Sequence, residues 1–451
     1  MAVRAAVAAG HPATAEAGLE ILDDGGTAAD AAVAAALASC VAETVMTGLL
    51  GGGHAIVWGG RRALNLDCFV AVPSGSGTML DLEVPFGEET VHYAVGPASC
   101  AVPGLPAGLD ALWREHGRLP WARLVEPALR LARSGTELPY RHAACLAMLE
   151  PVMTLNRGGE LYSPGGRLLQ TGSVLRQPGL VAALEIVAEE GAGSVYRGSI
   201  ADVLLDVPGI VVARTDLEAY AARWADPIEV PYAGARFFTR GGLSGVPELL
   251  ARLPRLAELS PTERVLALVD VLDDRGAEGH TTNLCVADDE GRAVVLTSSL
   301  GLGSGDFLPG LDLHLNSMLG EKDLLVGALE PGERMQSMMA PSLAVDSDGL
   351  ALAIGSAGGT RLRTALCTVV AGVLDEGLAP QTAVDRPRFH PAGATINAEP
   401  GVDEEALRQL EARGRAVRRW PDLHHYFGGT SLVSRWGAAA DPRRDGLALE
   451  L

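Results

Sequence analysis

The stretch "AEGHTTNLCVADDEGRAVVLTSS", residues 277–299, decides the reading of the whole chain. Two adjacent threonines, Thr281 and Thr282, follow Gly279-His280, and two apolar arms then flank "DDEG". β-Branched and apolar arms separated by Asp and Gly read as strand, turn, strand. Threonine suits a pleated, half-buried surface, and that alone would account for the pair. Working outward, "PSLAVDSDGLALAIGSAGG" at 341–359 repeats the hairpin, and a long apolar helix is expected over about 361–375. A helix at 403–413 and short strands near 416–419 and 430–434 complete the C-terminal third. On the other side, "PATAEAGLEILDD" (12–24) reads as an amphipathic helix stopped by Gly25-Gly26. Thr27 opens "TAAD", a capping-box pattern for a helix of small residues through about Cys40. Helices are also expected at 122–134 and 178–190, with a Gly/Pro/Asn-rich loop over 154–174. Two hairpins that each supply a sheet, with helices outside, predict an α+β fold of stacked sheets between helical layers.

Length alone, 451 residues, would suggest about three ordinary domains, but no linker, repeat or low-complexity tract divides the chain. A 48% apolar content provides for a large core. Basic residues number 36 against 56 acidic ones, a net charge of −20, which argues against nucleic acid or an anionic membrane surface as a main partner. Six cysteines (Cys40, Cys68, Cys100, Cys145, Cys285, Cys367) show no CxxC pattern and read as reduced, buried thiols. The N-terminus has no proper apolar signal region, and 31–50 carries Glu43 and ends in glycines, the mark of a buried helix. A cytoplasmic protein is expected.

Thr281 acquires a chemical meaning if it is a nucleophile. A threonine hydroxyl needs a base, and one solution is the residue's own α-amine, with a pKa of about 7.7–8.0. That requires Thr281 to be a chain terminus, so the His280–Thr281 bond would first break. The same hydroxyl can do this by attacking the preceding carbonyl to give an ester that water opens. An oxyanion also needs donors, and Gly358-Gly359 at a strand-to-helix junction offers backbone N–H groups.

With these residues in view, the chain resembles the γ-glutamyltransferase (γ-glutamyltranspeptidase) family of N-terminal-nucleophile hydrolases, as a divergent member. "DDGGTAADAAVAAALA" and "GLLGGGHAIV" are similar to the family's N-terminal helix and glycine turn. The segments beginning "CAVPGLPAGLDALW" at 100 and "LRQPGLVAALEIV" at 175 are similar to two further signatures. After "GHTTN" come "LNSMLGE", "APSLAV", "GSAGGTR", "DRPRFH" and "DPRRDG" in the family's order. The resemblance implies a four-layer αββα sandwich, made as one precursor and split into segments 1–280 and 281–451 that interleave. It implies that Thr281 is the nucleophile, Ser299 the hydroxyl that orients it, and Gly358 and Gly359 the oxyanion pair. Glu321 falls at or next to the acidic position that holds the substrate's α-amine, and Ser337 matches the first of two serines near the substrate carboxylate. No cofactor is implied. The partners implied are a small-molecule amide, water or an amine as acceptor, and the two segments joined as a heterodimer or a higher oligomer built from it.

Three positions depart from the family. Phe69 stands where the carboxylate-binding arginine is expected, Gly301 where an asparagine is frequent, and Met338 at the second serine. An apolar site holds a carboxylate poorly without a counter-charge. The expected activity is cleavage of a γ-glutamyl or related amide. The alternatives are a relative acting on a non-glutamyl acyl or C–C bond in a biosynthetic pathway, and a non-catalytic binding protein. From "GGLSGVPELL" to Thr281 the chain is short, with one compact helical stretch expected. His424-His425 reads as a strand pair facing opposite ways, with no third ligand at zinc-like spacing, so no metal is expected. His54 reads as pocket lining or a packed residue, and "GLLGGGH" lacks the ending of a phosphate loop.

Overall fold

The computed structural model describes residues 4–86, 89–272, 281–327 and 329–451. Among the described residues, thirteen strands form two stacked sheets. In chain order they are β1 (Ala6–Ala9), β2 (Gly52–Trp58), β3 (Ala63–Cys68), β4 (Arg223–Ala225), β5 (Ile228–Tyr232), β6 (Ala235–Thr239) and β7 (Thr282–Ala287). Then come β8 (Ala293–Ser299), β9 (Ser342–Asp346), β10 (Gly349–Ala357), β11 (Gly429–Ser434), β12 (Gly437–Ala440) and β13 (Leu447–Glu450). The first sheet runs β13-β1-β7-β8-β2-β3-β4 and the second β12-β11-β10-β9-β6-β5.

Alternation along the strands assigns the layers. Cys285, Ala287, Val295, Ile56 and Trp58 of the first sheet meet Leu343, Ala353 and Val433 of the second. The intervening residues Leu284, Val286, Val294 and Leu296 face outward onto a helical layer. Leu352, Ile354 and Leu432 leave the second sheet on its far side, against Leu362 and Leu366 of the helix Arg361–Val370. The result is the expected αββα sandwich.

α1 (Pro12–Asp23) and α2 (Ala28–Ala42) belong to the first helical layer. α2 is buried along its whole length, and alanines at most positions let it lie close to the sheet. Its capping box is formed: Thr27 Oγ1 accepts from Asp30 N (3.1 Å), and Thr27 N donates to Asp30 Oδ2 (2.9 Å). The "DDEG" turn does a second task. Asp288 Oδ1 accepts from the Glu290 and Arg292 amides, while its Oδ2 accepts from Ala28 N (2.9 Å) at the start of α2. A carboxylate at a helix N-terminus is favourable, so the central hairpin is locked to the helix beneath it.

The structure corrects three local expectations. Arg157–Tyr162 forms a short helix inside the expected loop, secured by the buried Tyr162, whose hydroxyl donates to Thr44 Oγ1 (2.8 Å). Helical geometry beyond Val370 widens to a π-turn over Ala371–Asp375, with Glu376 N donating to Ala371 O (2.9 Å). Two helices, Val246–Arg252 and Pro261–Leu272, precede the nucleophile hairpin where one was expected. Pro254 cannot continue the first, and Pro261 is suited to begin the second.

Candidate active site

Thr281 lies just before β7, at the end of the gap between the sheets, and is 7% exposed. Its Oγ1 accepts a hydrogen bond from Gly358 N (3.1 Å). Gly358 follows β10, and its φ of 121° lies where only glycine is comfortable. The turn it makes brings a main-chain donor to the threonine oxygen. Gly359 also has positive φ, and the carbonyls of both glycines accept from Arg361 N and Leu362 N as the next helix starts. His280, and with it the other half of the expected cleavage point, lies outside the described residues.

One side of Thr281 opens on a small cavity. Its lining unites residues far apart in sequence: Phe69, Ser299, Glu321, Ser337, Met338 and Gly359. Ser299 ends β8 and its Oγ accepts from Gly301 N (2.9 Å). Ser337 is buried, with its Oγ accepting from Met339 N (3.2 Å). Phe69 donates its N–H to Asp67 Oδ1 (2.9 Å), and its ring stacks on His54 with centroids 5.5 Å apart. His54 is therefore the packed residue behind the wall, its Nδ1 3.6 Å from Asp67 Oδ1. Burial, together with Arg240 and Arg334, holds its pKa far below the usual imidazole value.

Glu321 is 4% exposed, and its Oε1 has no hydrogen-bond partner among the described residues. Burial, helped by Asp323, lifts its carboxyl to about 8. Gly301 explains how the carboxyl fits. A Cβ at position 301 would lie 2.4 Å from Glu321 Oε1 and 2.6 Å from Ser317 Oγ. An asparagine there would displace the acid.

Sequence reasoning missed several neighbours. Met318, Leu324, Met339 and Leu362 complete the apolar wall. Only Met339, beside Met338, carried a local signal. Arg240 supports the wall from behind: its Nη1 donates to Ser337 O (3.1 Å) and Met339 O (3.0 Å). Burial lowers its pKa to about 10, against the pull of Asp67. His424 and His425 do not sit on a strand. His424 caps a 3₁₀ turn over His425–Phe427, and the two rings lie 4.1 Å apart within an aromatic cluster with Trp420. Among the described residues no group of three His, Cys, Asp or Glu side chains is placed to hold a metal. No described helix is long and apolar enough to cross a membrane.

A threonine at the mouth of an αββα sandwich, with a glycine N–H on its oxygen and a largely apolar cavity beside it, defines an enzyme of the N-terminal-nucleophile hydrolase class. A sequence model of the Gamma-glutamyltranspeptidase family matches residues 14–264 and 257–451, and the chain belongs to that family. It is 26% identical over 503 residues to the Acylase ACY 1 proenzyme of Pseudomonas sp. (strain V22), spanning 96% of this chain and 90% of that one. It is 24% identical over 500 residues to the Glutathione hydrolase proenzyme of Bacillus subtilis (strain 168), spanning 90% and 84%. The crystal structure of cephalosporin acylase from Bacillus halodurans superposes with a TM-score of 0.84, at 24% identity, over 99% of this chain and 96% of that one.

Proposed function

We propose that the protein is a self-processing amide hydrolase or acyltransferase whose acyl donor has an apolar body and one amino group, with no carboxylate beside it. The observation that carries this is the lining of the cavity next to Thr281. Glu321 is its one ionisable member among the described residues, and Phe69, Met318, Leu324, Met338, Met339 and Leu362 supply the rest of its bulk. A buried acid with an unused oxygen suits an ammonium, whereas a carboxylate would meet no cation on the lining.

In this reading the chain is cut after His280, and segments 1–280 and 281–451 stay together as a heterodimer. Thr281 Oγ attacks the amide carbonyl while the α-amine takes its proton, and the Gly358 and Gly359 N–H groups face the oxyanion. The amine then passes the proton to the leaving amine as the tetrahedral intermediate collapses. Water or a second amine releases the acyl group from Thr281. Ser299 orients the nucleophile, and Ser337 offers a hydroxyl to the donor. The names of the relatives, acylase and glutathione hydrolase proenzymes, support both the amide bond and the precursor. Six buried, unpaired cysteines support a reducing, cytoplasmic setting, which a cell-fractionation blot would test.

Two measurements test the reading. Denaturing intact mass is expected to give two fragments meeting at His280/Thr281, absent from Thr281→Ala. The matured protein is then offered three anilides: γ-glutamyl, glutaryl and 4-aminohexanoyl. The last keeps the amine and replaces the carboxylate by an ethyl group. Its kcat/KM is expected to exceed that of the γ-glutamyl anilide at least tenfold; a γ-glutamyl preference would overturn the substrate assignment.

A further inference from the structure

Thr281 also borders a second, very small cavity, which shares no other lining residue with the acyl pocket. Its lining includes Glu43, His142, Thr282, Asn283, Asp441 and Arg444. Nothing in the acyl-transfer scheme so far uses it.

Glu43 follows the last residue of α2 and is 1% exposed. Its Oε1 accepts from Thr14 Oγ1 (2.7 Å), and its Oε2 accepts a short hydrogen bond from Thr282 Oγ1. The second contact joins parts of the chain 239 residues apart. Its position matters because of the ladder beside it. On the β8 side, pairing continues to Thr282↔Ser298. On the β1 side it stops at Ala9↔Leu284, so Asn283, Thr282 and Thr281 run past the end of β1. The Glu43 carboxylate takes over where that strand gives out. Chain ends fray unless tied down, and an N-terminal nucleophile sits at such an end.

Resting on the reading of Thr281 as an N-terminal nucleophile, we propose that Glu43 is a positioning residue for the new terminus. It holds Thr282 by the hydroxyl and faces the Thr281 α-amine across the small cavity as its counter-charge. Asp441, the other acid on the lining, is otherwise engaged. It is paired with Arg388 (2.5 Å) and Arg443 (3.1 Å). Arg444 sets a second cation on the lining: its Nη1 lies 3.4 Å from Met46 Sδ, and its Nε has no hydrogen-bond partner among the described residues. His142 Nε2 lies 3.1 Å from Gly10 O and 3.2 Å from Arg444 O. His11, edge-on to the His142 ring, is held down at about 3 by burial and brings no charge.

An opposite charge within a few ångströms favours the charged form of an amine and typically raises its pKa by about 1–3. The test is competitive acetylation of the full-length, matured protein with acetic anhydride across pH, followed by mass spectrometry of the peptide beginning at Thr281. Absence of such a peptide from the wild type would sink the nucleophile reading, and the role of Glu43 with it. Given the peptide, the wild-type amine is expected to titrate above 8; a value at or below 8 overturns the proposal, whatever the variants do. Glu43→Gln, which keeps the size and the hydroxyl contacts, is expected to lower the value by about one pH unit. Glu43→Asp and Thr282→Val, which keep the charge, are expected to leave it near wild type. An unchanged value in a matured Glu43→Gln protein refutes the counter-charge role, because a residue that merely packs would not move this titration.

Discussion

Replacing Glu321 by Gln tests the physical basis of substrate recognition without any substrate. Burial raises the Glu321 carboxyl from its ordinary 4.5 to about 8. The folded chain therefore holds this proton more tightly than the unfolded chain does. The stability it contributes is fully present below pH 4.5, declines as pH rises, and is gone above about 8. At roughly 1.4 kcal/mol per pH unit, the interval from pH 5 to about 8 amounts to roughly 4 kcal/mol. Gln has no proton to lose, so Glu321→Gln should gain on its parent by about that amount between pH 5 and pH 9. Urea unfolding at the two pH values, in a Thr281→Ala background that keeps the chain in one piece, reads the change directly. A gap between variant and parent that stays flat with pH would refute the reasoning. Glu321 would then ionise in its pocket without penalty, and an ammonium on the donor would have no special claim on it.

Three other expectations follow from the same geometry. Gly358→Ala puts a side chain at φ 121°, with its Cβ 2.8 Å from Gly428 Cα; kcat on the best anilide should fall about 10²–10³-fold, and near-normal turnover would contradict the oxyanion assignment. Asp441→Asn leaves Arg388 and Arg443 in a buried site with one carboxylate, Glu399, between them, and should cost about 3–5 kcal/mol in urea unfolding. Phe69→Arg restores a cation to the cavity wall and should shift the ratio of kcat/KM values toward the γ-glutamyl anilide by about tenfold or more, the order of one charge-assisted contact. An unaltered ratio would mean that position 69 does not meet the donor.

What the sequence revealed, and what it withheld, divides along physical lines. The Thr281 hairpin was legible because alternation and turn residues are local, as was the Thr27–Asp30 capping box. Stacked sheets between helical layers followed from two hairpins with helices outside, and the four-layer order came through resemblance. The union of Phe69, Glu321, Ser337 and Met338 around one cavity became an expectation only through resemblance, since their spacing along the chain carries no period. Glu43 stood out only as a charge that argues against a membrane span, and Arg240 did not stand out at all. Each is a single polar residue in an ordinary context, and its importance comes from a neighbour that only tertiary structure supplies. The misreading of His424-His425 has a plain origin: two adjacent residues were given a strand's geometry, while the loop winds into a 3₁₀ turn. The helix Arg157–Tyr162 was hidden because its two glycines disfavour helix, and burial of Tyr162 overrides them.

The strand order of the first sheet has one more consequence. β13, β7 and β8 lie after residue 280, whereas β1, β2, β3 and β4 lie before it, and β1 is wedged between β13 and β7. A cut before Thr281 would leave two polypeptides woven through a common sheet, so neither could leave without tearing open the ladder of the other. The uncut chain can reach this arrangement in a unimolecular reaction, at any dilution. Two severed chains would have to find each other first, at a rate set by concentration, each exposing sheet edges that aggregate. Folding and maturation would then run in one direction only. Once unfolded, the cut protein would be lost, and its working lifetime would be governed by the barrier to opening.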